Sequence, residues 1–502
     1  MSDSPTPARV AADLTRLARG GARWALGAQL ASQLTSLLVF GIVCRWIAPA
    51  DLGVFNTALL IVTLPRMLAQ LGVAAATIQK EELDATEQAT LFWFNLVLSL
   101  LCAAASTLGG WCVGLLSSSD RLPGLTLQLA GTTPLAAVGA LHLALLDRHL
   151  RVSRSATARW LAQAVAGAVT VWLVTRGASV GALLAQQYLE LGFLGLAAWV
   201  LEPWRPGWPG PLRMIRESLR LGRHTALVNL VFYIAQNSDK LLLYVLLGGT
   251  RVGETAVGMY SLAFNFLMKP VYFVSTPVSG VMLPALSRAA PDQPTYRGLA
   301  LHFYRLSAVL LFPSGCGLVV VAPEVTRVLA GRQWDEAGWL LAILAPAVLA
   351  QGLLNITGSL LTSKGHTRWL LRAALVITLV QLQGYVAGFW LGGMAAPPPL
   401  GPVQGVAASY TLVLSLVLLL PYLAASWNQV GLSVVPLLRA LLPTLLHALL
   451  MAAGVWAVRH GCESQPLWQE IAPLFRLLFL VAVGVVLYLA LARRELRELM
   501  RA

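Results

Sequence analysis

Long apolar blocks recur along the whole chain, at roughly residues 24–46, 54–76, 88–116, 123–146, 156–175, 180–201, 224–248, 257–285, 301–322, 337–362, 370–392, 403–426, 440–459 and 473–491. A spanning helix needs about 20 apolar residues, so these blocks predict about 14 membrane helices. The remaining sequence leaves no room for a large soluble catalytic domain. A spanning β-barrel is excluded by pattern: its strands alternate apolar and polar residues, whereas runs such as Leu412 to Leu420 are continuous. Composition agrees, with 57% hydrophobic and 12% charged residues and a mean hydropathy of +0.71. The predicted fold is an all-α polytopic membrane protein.

The formal net charge of +14 would point to nucleic acid in a soluble protein. In a membrane protein the bases must first be sorted by side. With both termini cytoplasmic, most of the 36 Lys and Arg fall on cytoplasmic segments, and the reverse orientation inverts the bias. No nucleic-acid partner is expected. Arg148, Arg151, Arg154 and Arg159 follow the fourth block, and Arg205, Arg213, Arg216, Arg220 and Arg223 occupy the Pro- and Gly-rich stretch after the sixth. These clusters read as topology signals at the membrane surface or as sites that recruit an anionic lipid head group. Residues 1–22 carry Arg9, Arg16 and Arg19 with Val10, Leu14 and Leu17 at helical spacing and lack a cleavage signal, which predicts an uncleaved cytoplasmic interfacial helix. The five cysteines are scattered through apolar blocks and read as small packing residues.

Gly53, Phe55, Ala58 and Pro65 recur 205 residues later as Gly258, Tyr260, Ala263 and Pro270, at the opening of the second and eighth blocks. Six spans separate the two, so the helices run the same way and a six-plus-six parallel repeat is expected, with a cavity between the lobes. The predicted organisation is an interfacial helix at 1–22, a first lobe at 23–201, a basic linker at 202–223, a second lobe at 224–426, and two further helices with a cytoplasmic tail at 427–502. Pro270, Pro277 and Pro284 recur every seven residues and should bend the eighth span.

Charges at membrane depth mark candidate functional positions, because a lipid-facing charge there costs about 3 kcal/mol or more. Arg66 follows Pro65 and Lys269 precedes Pro270, so each half places a cation beside its equivalent proline. Both should face a wet interior, either to hold an anionic ligand or to pair with Glu190 or Asp239. Gln186 and Glu190 form a polar stripe in the sixth span, and Gln236, Asn237, Asp239 and Lys240 another in the seventh. Asp239 and Lys240 diverge by about 100° around a helix and need not pair. Glu190 or Asp239 could carry a coupling proton or only balance a cation. His142 and His447 read as hydrogen-bonded packing residues. Gly358 to Gly365 resembles a phosphate loop only loosely, with Ser363 in place of a glycine and Gly365 in place of the hydroxyl. No metal or cofactor is expected.

The stretch Arg45 to Phe55 (RWIAPADLGVF), followed by Gln70 to Lys80 (QLGVAAATIQK), resembles the start of polysaccharide-transport flippases of the multidrug/oligosaccharidyl-lipid/polysaccharide exporter superfamily. Leu91 to Asn95, Asn237 to Leu242 and Leu283 to Ser287 extend the likeness over most of the chain. The resemblance implies two six-helix lobes around a cationic cavity that moves an undecaprenyl-diphosphate-linked oligosaccharide outward by alternating access in a bacterial cytoplasmic membrane, alongside membrane lipids and a polysaccharide polymerase. It also implies that Asp239 is a recurrent family acid. Gln70 stands where relatives often carry an acid, and Lys269 has no family counterpart, so its candidacy rests on depth alone. Arg66, Lys269 and Lys240 are the expected substrate cations, Asp239 and Glu190 the coupling or balancing acids, and Pro65, Pro270 and Pro277 the helix breaks. A peptidoglycan-precursor flippase shares the lipid diphosphate and stays open. A drug or cation antiporter on the same scaffold would need an acidic cavity.

Overall fold

The computed structural model describes residues 7–80, 83–149, 151–396, 400–465, 468 and 470–501. Side chains of Arg9, Arg16, Arg19, Gln70 and Arg223, singled out above, lie outside the described residues. Among the described residues there are eighteen α-helices: α1 (Pro7–Cys44), α2 (Pro49–Gln79), α3 (Ala85–Ser117), α4 (Arg121–Ala130), α5 (Thr132–Arg148), α6 (Val152–Thr175), α7 (Ser179–Leu201), α8 (Arg216–Leu247), α9 (Arg251–Ala289), α10 (Gln293–Leu329), α11 (Asp335–Leu344), α12 (Ala347–Ser363), α13 (Thr367–Ala395), α14 (Leu400–Leu412), α15 (Leu419–Gln429), α16 (Val435–Glu463), α17 (Pro473–Leu491) and α18 (Arg493–Arg501). Thirteen candidate spans have the length and apolarity to cross a membrane, or up to 14 when α11 and α12 count as one bent span. The protein is thus a multi-pass all-α membrane protein. Helices win because the hydrocarbon offers no hydrogen bonds and every backbone group must be satisfied within its own segment.

Several blocks fold less simply than their composition suggests. The fourth forms α4 and α5, broken at Gly131, where the Tyr188 hydroxyl donates to the Gln128 carbonyl at 2.5 Å and interrupts the helical ladder. The tenth bends by 60° between α11 and α12, where Pro346 removes a donor. The twelfth passes through a π-helical stretch, Val413–Leu418, between α14 and α15. The N-terminal segment expected as a separate interfacial helix continues directly into the first span as α1. Its sequence carries no Pro between Pro7 and Cys44 to stop the propagation. Gly358 to Gly365 proves to be the end of α12, where Lys364 Nζ donates to Gln293 Oε1 at 2.6 Å; no loop for phosphate forms there.

By compactness the chain divides into two units. The first comprises Met1–Ile47 and Val54–Ile234, the second Ala48–Gly53 and Ala235–Ala502. In the first, Leu91, Phe92, Leu141, Leu145 and Ile215 make a small core. The segment after α7 is fastened down over it: Trp93 Nε1 donates to the Gly207 carbonyl at 3.0 Å, and the Gly210 amide donates to Thr90 Oγ1 at 2.8 Å. His142 is fully buried there, stacked on Trp199 and 3.2 Å from the Trp204 carbonyl, the packing role its isolation suggested. The other intramembrane histidine, His447, lies 3.3 Å from Glu495 of α18, whose Oε2 accepts from Thr444 Oγ1 of α16 at 3.0 Å.

The second unit is held by backbone approach at two glycine contacts. Thr250 caps α9 by accepting from the Gly253 amide at 3.1 Å. One turn on, Gly258 meets Gly53 of the first turn of α2. A β-carbon on Gly258 would collide with the Pro49 carbonyl, and one on Gly53 with the Glu254 carbonyl. The glycines paired by the 205-residue repeat therefore pack against each other. Along α13 and α14, Gly384, Gly388 and Gly392 face Gly401, Gly405 and Ser409 in the same manner.

Gly258→Ala should cost about 2 kcal/mol through overpacking, whereas Gly280→Ala in the same helix, where a β-carbon meets nothing within 4 Å, should be neutral or stabilising by up to about 1 kcal/mol. Thermal unfolding in detergent checks the contrast; equal effects at both positions would remove the close-approach argument.

Candidate functional site

In the first unit, Arg66 lies on α2 immediately after Pro65, half-buried. Its Nη2 donates to Thr63 Oγ1 at 3.3 Å, while Nη1 is buried with no hydrogen-bond partner among the described residues. Glu190 of α7 and Tyr233 of α8 stand within electrostatic range, but no direct ion pair joins Arg66 to Glu190 among the described residues. Tyr233 is itself oriented, its hydroxyl donating to the Leu60 carbonyl at 3.1 Å. Arg66 and Glu190, placed on separate helices by sequence, are thus brought within reach of each other's charge.

The second unit contains a more enclosed arrangement. Asp239 of α8 is 1% exposed. Its Oδ2 accepts from the Tyr260 hydroxyl of α9 at 2.6 Å, and its Oδ1 has no hydrogen-bond partner among the described residues. Contrary to the expected divergence, the flexible Lys240 side chain turns back so that Nζ lies 3.8 Å from Oδ1. The same ammonium sits 3.7 Å from the centroid of the Phe264 ring. It also donates to Asn237 Oδ1 and to the Gln236 carbonyl, both at 3.3 Å. A buried carboxylate is costly unless paired and hydrogen-bonded, and here a cation, a phenol and an aromatic face share the task.

Around this pair, Tyr385 of α13 and Tyr410 of α14 are buried and stacked at 6.3 Å, and Phe264 meets Tyr410 edge-on at 5.3 Å. The Tyr410 hydroxyl donates to Gln351 of α12 at 3.2 Å. Sequence reasoning found Asp239 and Lys240 and missed the tyrosines. The repeat held one signal: Tyr260 replaces Phe55, adding a hydroxyl at the 205-residue offset. Tyr385 and Tyr410 gave none, since their relation to Asp239 exists only once α13 and α14 have closed on α9. Lys269 lies half-buried on α9, and α9 continues as helix through Pro270, Pro277 and Pro284.

Residues 42–338 match a family model described as polysaccharide biosynthesis protein. The chain belongs to that family. It is 26% identical over 441 residues to the lipopolysaccharide biosynthesis protein WzxC of Escherichia coli, covering 85% of this chain and 86% of the relative. It is 21% identical over 355 residues to the teichuronic acid biosynthesis protein TuaB of Bacillus subtilis, covering 70% and 72%. The succinoglycan biosynthesis transport protein ExoT of Rhizobium meliloti is 23% identical, with 62% of each chain covered. In fold the protein is similar to the lipid II flippase MurJ in an inward closed conformation, with a TM-score of 0.71 at 13% identity over 96% of this chain and 99% of that one. It is similar also to a multidrug transporter of the MATE family in an inward-facing conformation, with a TM-score of 0.62 at 13% identity over 81% and 98%.

Tyr260→Phe should destabilise the protein by about 1.5–3 kcal/mol, the worth of a hydrogen bond to a charged group. The loss should shrink in an Asp239→Asn background. A double-mutant cycle by thermal unfolding reads the coupling, and strict additivity would mean the phenol does not serve the carboxylate.

Proposed function

We propose that this protein is a flippase that carries an undecaprenyl-diphosphate-linked oligosaccharide outward across the bacterial cytoplasmic membrane by alternating access, for surface polysaccharide biosynthesis. Family membership supports this, as do relatives named for making or transporting lipopolysaccharide, teichuronic acid and succinoglycan. Arg66 carries the reading: a half-buried guanidinium within a span, with one buried nitrogen lacking a hydrogen-bond partner among the described residues, is a group that an entering phosphate would satisfy. Arg can grip phosphate oxygens as a fork, and the attraction grows as the dielectric falls. Glu190 balances the charge between cycles.

We assign Lys269 as a second substrate cation and Lys240 as a third. Lys240 is occupied by Asp239 and Phe264, so its release requires that the carboxylate be neutralised, for which protonation of Asp239 is the direct route. Asp239 thereby links proton uptake to cation availability, and Glu190 stands in the same relation to Arg66. Pro65, Pro270 and Pro277 supply the points at which the helices bend between states. No bond is made or broken in the substrate, and no cofactor is needed. Both termini lie in the cytoplasm, with lobes at 23–201 and 224–426 joined by the basic linker at 202–223. Residues 427–502 add two spans and a tail. A polysaccharide polymerase is the partner expected to consume the flipped product.

A second reading, a peptidoglycan-precursor flippase, draws on the likeness to a lipid II flippase and requires the same diphosphate cradle. Drug or cation antiport would instead call for an acidic cavity, against the cations at Arg66 and Lys269. Reconstituted vesicles with a panel of lipid-linked glycans separate these readings. Arg66→Ala or Lys269→Ala should lower translocation roughly ten- to hundredfold, from loss of about 1.5–3 kcal/mol per charged contact, with membrane insertion intact. Undiminished translocation by both variants would refute the assignment.

A further inference from the structure

We propose that a groove on the lipid-facing side of the first unit is a binding site for an anionic phospholipid of the inner leaflet, with its acyl chain along α6 and α7 and its phosphate on Arg154. The groove, of about 860 Å³, is lined by Trp24 of α1, by α6 from Ser153 to Val165 and by α7 from Phe193 to Leu201. On α6 its residues recur at three- and four-residue spacing, so one face of that helix forms the floor. The lining is apolar along its length except at one end. There Arg154, Ser153 and Thr157 gather, and Trp24 Nε1 donates to Thr157 Oγ1 at 2.7 Å. A tryptophan with its ring on hydrocarbon and its N–H on a hydroxyl is the expected residue at a head-group boundary.

Charge decides the occupant. Four other described bases of the first unit are already engaged by protein. Arg148 donates to the Thr77 and Lys80 carbonyls at 2.6 and 2.5 Å. Arg151 lies 3.7 Å from Glu202 and Arg159 4.0 Å from Asp147. Arg205 donates to the Trp199 and Glu202 carbonyls. Arg154 is exposed at the polar end of the groove, and its guanidinium makes no hydrogen bond or ion pair among the described residues. An exposed cation at the mouth of an apolar channel complements a molecule with one anionic head and an apolar tail. From Arg154 to Val165 the floor is about 16 Å long at 1.5 Å per residue, about half the ~30 Å hydrocarbon core. That length suits the acyl chain of a lipid confined to one leaflet better than a longer isoprenoid carrier. The bias of basic residues assigns the Arg154 end to the cytoplasmic side.

Native mass spectrometry of the delipidated full-length protein, titrated with phosphatidylglycerol or phosphatidylcholine, tests the site. The wild type should retain phosphatidylglycerol in preference. Arg154→Gln should lower that retention about fivefold, to the phosphatidylcholine level, as expected for one basic residue at an anionic surface. Val165→Trp, which fills the far end, should lower retention of both lipids, and Arg213→Ala should change neither. Thermal unfolding identifies any variant that has lost its fold, and Val165→Trp then reads the groove independently of Arg154. Equal retention of the two lipids by the wild type, or no effect of either groove variant, would overturn the proposal. So would displacement of phosphatidylglycerol by undecaprenyl phosphate with the same dependence on Arg154, which would make the carrier the occupant.

Discussion

A helix in hydrocarbon gains nothing by hiding an apolar face, because its neighbours are no more apolar than the lipid they replace. Helices in this protein must therefore be held by close packing of backbones and by the few polar contacts that lipid cannot offer. The meeting of Gly53 with Gly258, and of the α13 glycines with those of α14, is the direct expression of that constraint. Where a β-carbon is absent, carbonyls and amides of two helices approach within contact distance and dispersion replaces the missing hydrophobic drive.

Closure of α13 and α14 on the second unit has a chemical consequence, since it brings Tyr385 and Tyr410 to the buried Asp239. The carboxylate is reached by a phenol from α9 and an ammonium from its own helix. Arg66 in the first unit is treated differently, with a weak hydroxyl contact and a distant acid. A charge that is already compensated stabilises a resting arrangement. Arg66 is left partly uncompensated among the described residues, although α2 and α9 open on matching residues.

Bases at the membrane surface follow the same logic. Arg148, Arg151, Arg159 and Arg205 are engaged by carbonyls or carboxylates, so the number of bases alone says little about lipid binding. Arg154 makes no hydrogen bond or ion pair among the described residues, and the helix that carries it also lines an apolar groove.

All-helical spanning architecture was legible in the sequence because the solvent imposes it: apolar blocks of sufficient length have no other way to cross. The glycines at 53 and 258, which pack against each other, stand at a constant offset in the sequence, and the deep charges were legible because they are conspicuous by their cost. Breaks inside blocks were not, because the splitting of α4 from α5 depends on Tyr188, 60 residues away from the carbonyl it meets. Nor was the pairing of Lys240 with Asp239, which a long side chain achieves against the divergence of its backbone position. Local composition determines where a chain can cross a membrane. Only the packed helices decide which charges find partners, because many of those partners come from other helices.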